Sequence, residues 1–461
     1  MTTLTKFAFG VVNSSYTKGA IATCRSNGSS KTVVLKKYGG SSSDFGGDPH
    51  VLALRTGLTV NGNNCRVATI ASNYTYQTSY RGKAVYGIYD GISFGSPKAV
   101  AKSDNETSFS TTNIWNATNP YSAVMGTNYF YINDYDMTTS NAGTNNIYRI
   151  KASDFTQNMV YYTAPTVAGY NRCSCVALNE YNGMLLALFI YYNYSGGTFT
   201  YTNSKLVLLP KNETTTTAVS AIATVNCTAN ASTITVSGNY VYVTSFGGAQ
   251  AAGGNSTSRL QVIKITSSGS SYSMTLDYTI TPSNLPSGTT YGKKGNFMGV
   301  EVVTGTDNNS YAVILLAKYD TSWTQYEYEL VRVLESNLQA GSLSSPNYYY
   351  ATVTTPGATW GLIKDKLTSE LFLVNGVGIC SVDATTSTIS VNSITVASDY
   401  NITTSISGHV LNTATYNATV NVSKDNSLEE ISTTKASADT VQTVIRPHLT
   451  REEIELLCQN K

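Results

Sequence analysis

Short runs that alternate aromatic and β-branched residues recur along this chain, and each follows a turn signal. In residues 237–248, S-G-N-Y-V-Y-V-T-S-F-G-G, the Gly-Asn pair tolerates positive φ and marks a turn. The alternation at 240–244 suits a pleated, half-buried strand and suits a helix poorly. Two further runs at 259–266 and 272–280 predict that strands continue as a meander.

The turn-and-strand pattern has relatives elsewhere in the chain. They lie at 18–24, 83–89, 127–132, 182–188, 309–316 and 368–374. Partner strands follow, as in N-I-Y-R-I-K at 146–151 and Y-E-L-V-R-V at 328–333, and a charged residue often ends the strand. The spacing of about 45–70 residues is that of four-stranded propeller blades. Seven such units fit into roughly the first 400 residues.

These repeats give the chain a resemblance to a β-propeller of about seven four-stranded blades, although no propeller family can be assigned. The resemblance covers residues 1–423. A blade cannot bury both faces alone, so the ring must close. We expect a strand within 405–422 to complete the first blade, whose other strands come from the N-terminal 40 residues. Six or eight blades, an array of β-sandwiches and a β-helix remain alternatives.

Composition excludes several classes of partner. Charged residues make up 13% of the chain and the formal net charge is +2, which gives no electrostatic case for nucleic acid or an anionic membrane. No apolar run approaches the roughly 20 residues of a membrane helix. The first residues, M-T-T-L-T-K-F-A-F-G, lack a basic segment followed by a long apolar one. We therefore expect no signal peptide, no membrane insertion and synthesis in a host cytoplasm.

The C-terminal segment differs in composition from the rest. Charged residues become dense from Lys424 onward, so 424–445 is interpreted as a linker and 446–461 as a separate docking helix. Thr450 and Glu453 form a capping box. The amphipathic helix is too short to be stable alone and needs a surface to dock on. Its predicted docking residues are Leu449, Ile454, Leu457 and Cys458.

Motifs for catalysis are sparse. The chain has three histidines, His50, His409 and His448, so a Ser-His-Asp triad is not expected. Seven scattered cysteines show no C-x-x-C pair and are interpreted as buried thiols, without a metal site. No catalytic residue, cofactor or metal is predicted. Carboxylates near predicted strand ends are the candidates if the chain is a polysaccharide-active propeller enzyme; they are Asp90, Asp134, Asp136, Glu180, Glu301, Asp320 and Asp383.

Tyrosine is the strongest compositional feature, at 34 residues. Tyrosines pack well between sheets, and they also supply rigid contact area with a hydrogen-bonding tip on recognition surfaces. Not all of three consecutive tyrosines in one strand can face inward. The predicted binding residues are Tyr129, Tyr131, Tyr135, Tyr348, Tyr349, Tyr350, Trp323 and Trp360.

Many N-x-S/T sequons also occur, and most are expected by chance in a chain so rich in Asn, Ser and Thr. Because no signal peptide is expected, these asparagines need not be glycosylated.

Composition also resembles that of phage virion surface and appendage proteins, which are rich in Thr, Ser, Asn, Gly and Tyr and poor in charge. The resemblance implies a non-enzymatic recognition module on a viral particle. The propeller would face outward to bind a host-surface glycan or protein, and the C-terminal helix would dock on a viral structural protein. Two alternatives remain: a polysaccharide hydrolase or lyase that uses channel carboxylates, and an intracellular scaffold.

Overall fold

The computed structural model describes the protein as a β-strand structure. The described residues are 4–12, 19–26, 31–36, 48–56, 65–72, 83–89, 98–101, 123–133, 145–151, 158–195, 198–245, 247, 257–284, 296–319, 325–352, 361–364, 369–375, 378–393, 395–398 and 413–415. Within them, helical structure is limited to α1 (Glu335–Gln339) and a 3-10 turn at Pro282–Asn284. No helix in these ranges is long and apolar enough to span a membrane.

The described strands form seven sheets built on antiparallel meanders, numbered here as sheets 1 to 7 in chain order. Sheet 1 contains β1 (Leu4–Val12), β2 (Gly19–Ser26) and β3 (Lys31–Lys36). Sheet 2 contains β4 (Asp48–Thr56), β5 (Cys65–Ser72), β6 (Lys83–Tyr89) and β7 (Lys98–Ala101). Sheet 3 contains β8 (Ala123–Met125), β9 (Tyr129–Asn133), β10 (Asn146–Lys151) and β11 (Asn158–Thr163).

Sheets 4 to 7 repeat the same four-stranded order. Sheet 4 contains β12 (Arg172–Tyr181), β13 (Met184–Ser195), β14 (Thr198–Leu209) and β15 (Ala223–Cys227). Sheet 5 contains β16 (Ala231–Ser237), β17 (Tyr240–Ser245), β18 (Arg259–Ser268) and β19 (Ser271–Ile280). Sheet 6 contains β20 (Asn296–Thr304), β21 (Ser310–Tyr319), β22 (Gln325–Leu334) and β23 (Asn347–Thr352). Sheet 7 contains β24 (Gly361–Lys364), β25 (Leu371–Asn375), β26 (Gly378–Asp383) and β27 (Ser390–Ser393).

Two late strands return to sheet 1. The strand β28 (Thr395–Ser398) pairs in parallel with β3, and β29 (Thr413–Thr415) pairs antiparallel with β1. The pairing of β29 falls within 405–422, the segment expected to join the first sheet. The pairing of β28 on the opposite edge was not expected. Sheet 1 therefore combines both ends of the described chain.

Successive sheets contact each other through their first strands. The contacts join β1 to β4, β4 to β8, β8 to β12, β12 to β16, β16 to β20 and β20 to β24. Apolar side chains fill the spaces between sheets. One cluster joins Leu188 of β13 to Val241 of β17, and another joins Val262 of β18 to Ile314 of β21. Across sheets 3 to 7 the described core is thus a succession of apolar layers between neighbouring sheets.

The meander of sheet 5 confirms the strands predicted there, because β17, β18 and β19 overlap the three alternating runs. Gly238 takes a φ of +53° at the turn between β16 and β17. The prediction of a mostly β chain with four-stranded antiparallel units is confirmed. The predicted linker at 424–445 and docking helix at 446–461, including Leu449, Ile454, Leu457 and Cys458, lie outside the described residues.

Candidate functional site

The first strand of sheets 4 to 7 lies at the edge of its sheet. One side of such a strand has no strand partner, and its backbone groups need other partners. Side chains from neighbouring sheets supply some of them. Asn179 Nδ2 of β12 donates to the Ile234 carbonyl of β16 at 2.9 Å. Thr235 Oγ1 of β16 donates to the Val300 carbonyl of β20 at 2.6 Å.

Glu301 continues this series on β20. The Ile234 carbonyl accepts a side-chain hydrogen bond from the preceding sheet, and Thr235 is the next residue along β16. In the same way, the Val300 carbonyl accepts a hydrogen bond from Thr235, and Glu301 is the next residue along β20. Glu301 therefore occupies the place held by a polar side chain in the two sheets before it. An ionised carboxylate cannot donate to a carbonyl. At this junction, Lys364 Nζ of β24 instead donates back to the Val302 carbonyl at 2.6 Å.

We call Asn179, Thr235, Glu301 and Lys364 the first-strand row. One member comes from each of β12, β16, β20 and β24, and all four side chains are partly exposed. The row presents an amide, a hydroxyl, a carboxylate and an ammonium beside backbone groups of edge strands. Such a set can exchange hydrogen bonds with a polyhydroxylated ligand.

The candidate carboxylates have different surroundings. The sequence suggested that Glu301 lies near a strand end, but it lies inside β20, between the buried Val300 and Val302. Glu180 forms an ion pair with Lys211 at 2.8 Å. Asp383 accepts hydrogen bonds from the backbone N–H and the hydroxyl of Thr385, at 3.0 and 2.7 Å. The other four candidates, Asp90, Asp134, Asp136 and Asp320, lie outside the described residues.

The two predicted tyrosines of sheet 3 that the structure describes, Tyr131 and Tyr129, have different surroundings. Tyr131 is fully buried, and its ring meets the Tyr161 ring edge-on with centroids 4.8 Å apart. Burial raises the pKa of Tyr131 far above its ordinary value. Tyr129 is partly exposed, and the Arg149 guanidinium lies 4.4 Å from its ring centroid. Tyr131 is thus inaccessible to a ligand because it fills the space between sheets.

Tyr348 and Tyr349 of β23 point to opposite sides of sheet 6. Tyr348 packs against the apolar cluster between sheets 5 and 6, whereas Tyr349 packs against the cluster between sheets 6 and 7. The Tyr349 ring lies 6.3 Å from the Tyr328 ring. The structure does not bring these residues together with Tyr129, which belongs to sheet 3. The Tyr350 side chain and the residues Tyr135, Trp323 and Trp360 lie outside the described part.

Two buried arginines join neighbouring sheets, and neither was predicted from the sequence. Arg149 Nη1 of β10 donates to the Asn212 carbonyl in the connection between β14 and β15, at 2.9 Å. Arg332 Nε of β22 donates to the Ala384 carbonyl in the connection between β26 and β27, at 2.7 Å. Both carbonyls lie between the third and fourth strands of the next sheet. Charged residues are expected at the ends of partner strands, but both arginines lie inside their strands with apolar residues on either side.

In the described ranges, the cysteines and the possible metal ligands do not form a further candidate site. Cys173, Cys175, Cys227 and Cys380 form no disulfide and are buried, which confirms for these four the interpretation as buried thiols. Burial raises the pKa of the Cys227 thiol to about 12. The described residues contain no group of three His, Cys, Asp or Glu side chains arranged to hold a metal ion.

No protein-family model and no curated protein matches this sequence. Solved structures do show similarity. An endo-arabinase from Bacteroides thetaiotaomicron VPI-5482 is 12% identical, with 60% of this chain and 94% of that chain covered and a TM-score of 0.31. An alpha-L-arabinofuranosidase from Lactobacillus brevis is 10% identical, with coverages of 59% and 85% and a TM-score of 0.27. One chain from a complex of S. cerevisiae Dbp5 with Nup159 and Gle1 is 9% identical, with coverages of 76% and 76% and a TM-score of 0.35.

One prediction is corrected by these comparisons. The chain was expected not to be an enzyme, but two of the similar structures are enzymes, the endo-arabinase and the arabinofuranosidase. The prediction that the chain is not an enzyme is therefore withdrawn. None of the three similar structures named above is described as part of a phage or virion.

Proposed function

We propose that the seven sheets close into a β-propeller that binds carbohydrate at the first-strand row. Three features support the ring. The sheets follow one another in contact through their first strands, each has the same meander order, and the chain returns to sheet 1 through β28 and β29. In a propeller the first strands surround the central channel. The row then lines that channel over four successive blades.

The single observation that carries the proposal is the equivalent placement of Asn179, Thr235 and Glu301 on successive first strands. Sugar hydroxyls donate and accept hydrogen bonds at close spacing. A carboxylate with two oxygens accepts from two neighbouring hydroxyls, and hydrogen bonds to an ionised group are the stronger ones. Glu301 is therefore the expected anchor, and the polar groups on either side orient the chain of sugars.

Affinity electrophoresis of the full-length protein tests the binding. The gels contain neutral and acidic polysaccharides, with arabinan, xylan, pectin and cellulose derivatives among them. We expect one of them to retard the protein. Glu301→Gln should weaken that binding by about ten-fold or more, because a hydrogen bond to a charged group contributes about 1.5–3 kcal/mol.

The matched control is Asp277→Asn, which neutralises an exposed carboxylate on the outermost strand of sheet 5. This control should bind as the wild type does. Undiminished binding by Glu301→Gln would contradict the proposal.

A second candidate function is polysaccharide hydrolysis or lyase chemistry with Glu301 as the acid or base. The observation in its favour is that a carboxylate takes the place of Asn179 and Thr235 in the row. Hydrolysis needs a second carboxylate about 5–10 Å away. Release of reducing ends from each retarding polysaccharide tests this function. Turnover that Glu301→Gln abolishes, with binding retained, supports an enzyme; wild-type protein that binds without turnover excludes it.

Attachment to a viral particle through residues 446–461 stays a prediction, as does the intracellular scaffold. Attachment to a particle is independent of catalysis. It predicts that the protein co-sediments with nucleic-acid-containing particles from the source culture and that deletion of 446–461 releases it. Recovery in the soluble fractions alone would contradict it.

A further inference from the structure

Five N-x-S/T sequons fall within the described residues, at Asn193, Asn212, Asn226, Asn230 and Asn308. They differ in what their side chains do. Asn193 Nδ2 donates to the Gly169 carbonyl at 2.6 Å, so its amide nitrogen is engaged. At Asn230, the Ser232 hydroxyl of the sequon lies 3.3 Å from the Thr244 carbonyl oxygen and 3.2 Å from Thr244 Oγ1. The Ser232 hydroxyl therefore bonds to β17.

Asn212 is arranged differently. The residue is exposed, and Oδ1 of its side chain accepts the Thr214 hydroxyl at 2.8 Å. The backbone N–H groups of Thr214 and Thr215 donate to the same oxygen at 2.8 and 3.3 Å. The hydroxyl and the amide of one sequon are thus already bonded to each other. All three donors act on the amide oxygen, and none of these bonds uses Nδ2.

The rest of the structure holds this sequon in place. The Asn212 backbone N–H donates to Tyr161 Oη at 2.8 Å, and its carbonyl accepts from the buried Arg149 at 2.9 Å. Glu213, the middle residue of the sequon, accepts from the backbone N–H of Asn128 at 3.0 Å. The tripeptide therefore keeps one conformation at the surface, and a transferase that binds it has little conformational entropy to remove.

We propose that Asn212 is a site of N-linked glycosylation, a modification independent of the carbohydrate binding proposed above. The co-substrate is an activated sugar whose anomeric carbon carries a phosphate or diphosphate leaving group. Asn212 Nδ2 forms the bond to the anomeric carbon as the bond from that carbon to the phosphate oxygen breaks. A base of the transferase takes the proton from Nδ2. Loss of this proton leaves an imidate anion whose charge is shared by Oδ1 and Nδ2. The three donors to Oδ1 stabilise that anion, and its Nδ2 lone pair forms the bond to the anomeric carbon.

Labelling of the full-length folded protein tests the proposal. The protein is incubated with a purified sequon-specific N-glycosyltransferase and UDP-glucose, and hexose incorporation is followed by mass spectrometry of proteolytic peptides. We expect the Asn212 peptide to be labelled about ten-fold faster than the Asn230 peptide, the factor that one hydrogen bond of ordinary net strength gives. Thr214→Ser, which keeps the hydroxyl, should retain most of this rate.

The urea-unfolded chain, labelled under conditions in which the transferase stays active, is the control for local sequence preference. Unfolding should bring the ratio of the two rates close to one, because the bonds to Oδ1 are lost. Failure of the folded protein to label at Asn212, equal rates at Asn212 and Asn230 in the folded state, or an unchanged ratio after unfolding would each overturn the proposal.

Discussion

The guanidinium carbon of Arg332 lies 3.3 Å from the centroid of the Tyr311 ring. The Tyr311 hydroxyl in turn donates to Asp307 Oδ2 at 2.6 Å, and Arg332 donates to carbonyls of Ala384 and Thr385 in sheet 7. Arg332 is only 4% exposed. A surface carboxylate, an aromatic ring and a buried cation thus connect sheet 6 to the next sheet, by contacts that apolar packing alone does not provide.

We predict that Arg332→Met lowers the free energy of unfolding by about 2–4 kcal/mol, because hydrogen bonds to a charged donor and a cation–π contact are lost together. Urea denaturation followed by tryptophan and tyrosine fluorescence measures the loss. The matched control is Lys264→Met, which removes a partly exposed cation 5.9 Å from the Tyr240 ring centroid. It should cost less than about 1 kcal/mol. Equal costs for the two variants would contradict the assigned role of Arg332.

A double-mutant cycle with Tyr311→Leu separates the ring contact from the carbonyl bonds. The coupling between Arg332→Met and Tyr311→Leu should be about 0.5–2 kcal/mol, since each variant removes the same stacked pair. Tyr311→Phe keeps the ring and loses only the bond to Asp307, so it should couple to Arg332→Met more weakly. Additive losses in the first pair would exclude the ring as the partner of Arg332.

Local patterns in the sequence predicted the strands but not the contacts between sheets. The alternation around Tyr240 fixes a strand, because side chains of a strand alternate between its two faces. In contrast, the bond from Arg149 to the Asn212 carbonyl joins residues 63 positions apart. Nothing in the short run N-I-Y-R-I-K specifies that partner. The apolar residues that flank the arginine on both sides are the one local signal that it is buried.

The candidate site was predictable only in part for the same reason. Glu301 was among the candidate carboxylates, but the sequence does not show that it follows the residue whose carbonyl accepts Thr235. Tyr131 was assigned to a binding surface because tyrosine suits both packing and recognition. In the structure Tyr131 lies in β9 opposite Arg149, and the Tyr161 ring packs against it, so Tyr131 has a packing role. Whether a tyrosine packs between sheets or lies on a surface depends on the register of the strands and the order of the sheets, which the local sequence does not specify.

Gly341 provides a prediction on backbone strain. It has a φ of +74°, and a Cβ at this position would collide with the Tyr278 ring. Gly269 has a similar φ of +61°, but a Cβ there would meet no atom within 4 Å. We predict that Gly269→Ala lowers the free energy of unfolding by about 1–2 kcal/mol, because alanine is strained in the left-handed conformation. Gly341→Ala should lower it by about 1–2 kcal/mol more, because of the added collision with the Tyr278 ring.

Thermal denaturation of both glycine variants checks the difference. Tyr278→Ala combined with Gly341→Ala removes the collision and should bring the cost of the glycine substitution down to that at Gly269. If Gly341→Ala lowers the free energy of unfolding by the same amount with and without the Tyr278 ring, the ring moves aside without measurable strain and the prediction is contradicted.

The Tyr348 hydroxyl gives a prediction on pH dependence. It is buried and finds no hydrogen-bond partner among the described residues. Burial, with the nearby charge of Glu329, raises its pKa from 10.0 to about 12. Between these two values the unfolded chain has lost the proton while the folded protein keeps it, so the unfolded state binds fewer protons. Stability from this group is therefore complete below pH 10 and falls as the pH rises from about 10 to 12.

We predict that Tyr348→Phe is at least as stable as the wild type at pH 7, by about 0–2 kcal/mol, because it removes a buried hydroxyl without a partner. Urea midpoints measured from pH 7 to pH 11.5 test both points. Other buried tyrosines make the wild type less stable above pH 10, so the informative quantity is the difference between the two proteins. That difference should stay constant from pH 7 to 9 and then grow in favour of Tyr348→Phe. A constant difference up to pH 11.5 would show that Tyr348 ionises alike in both states.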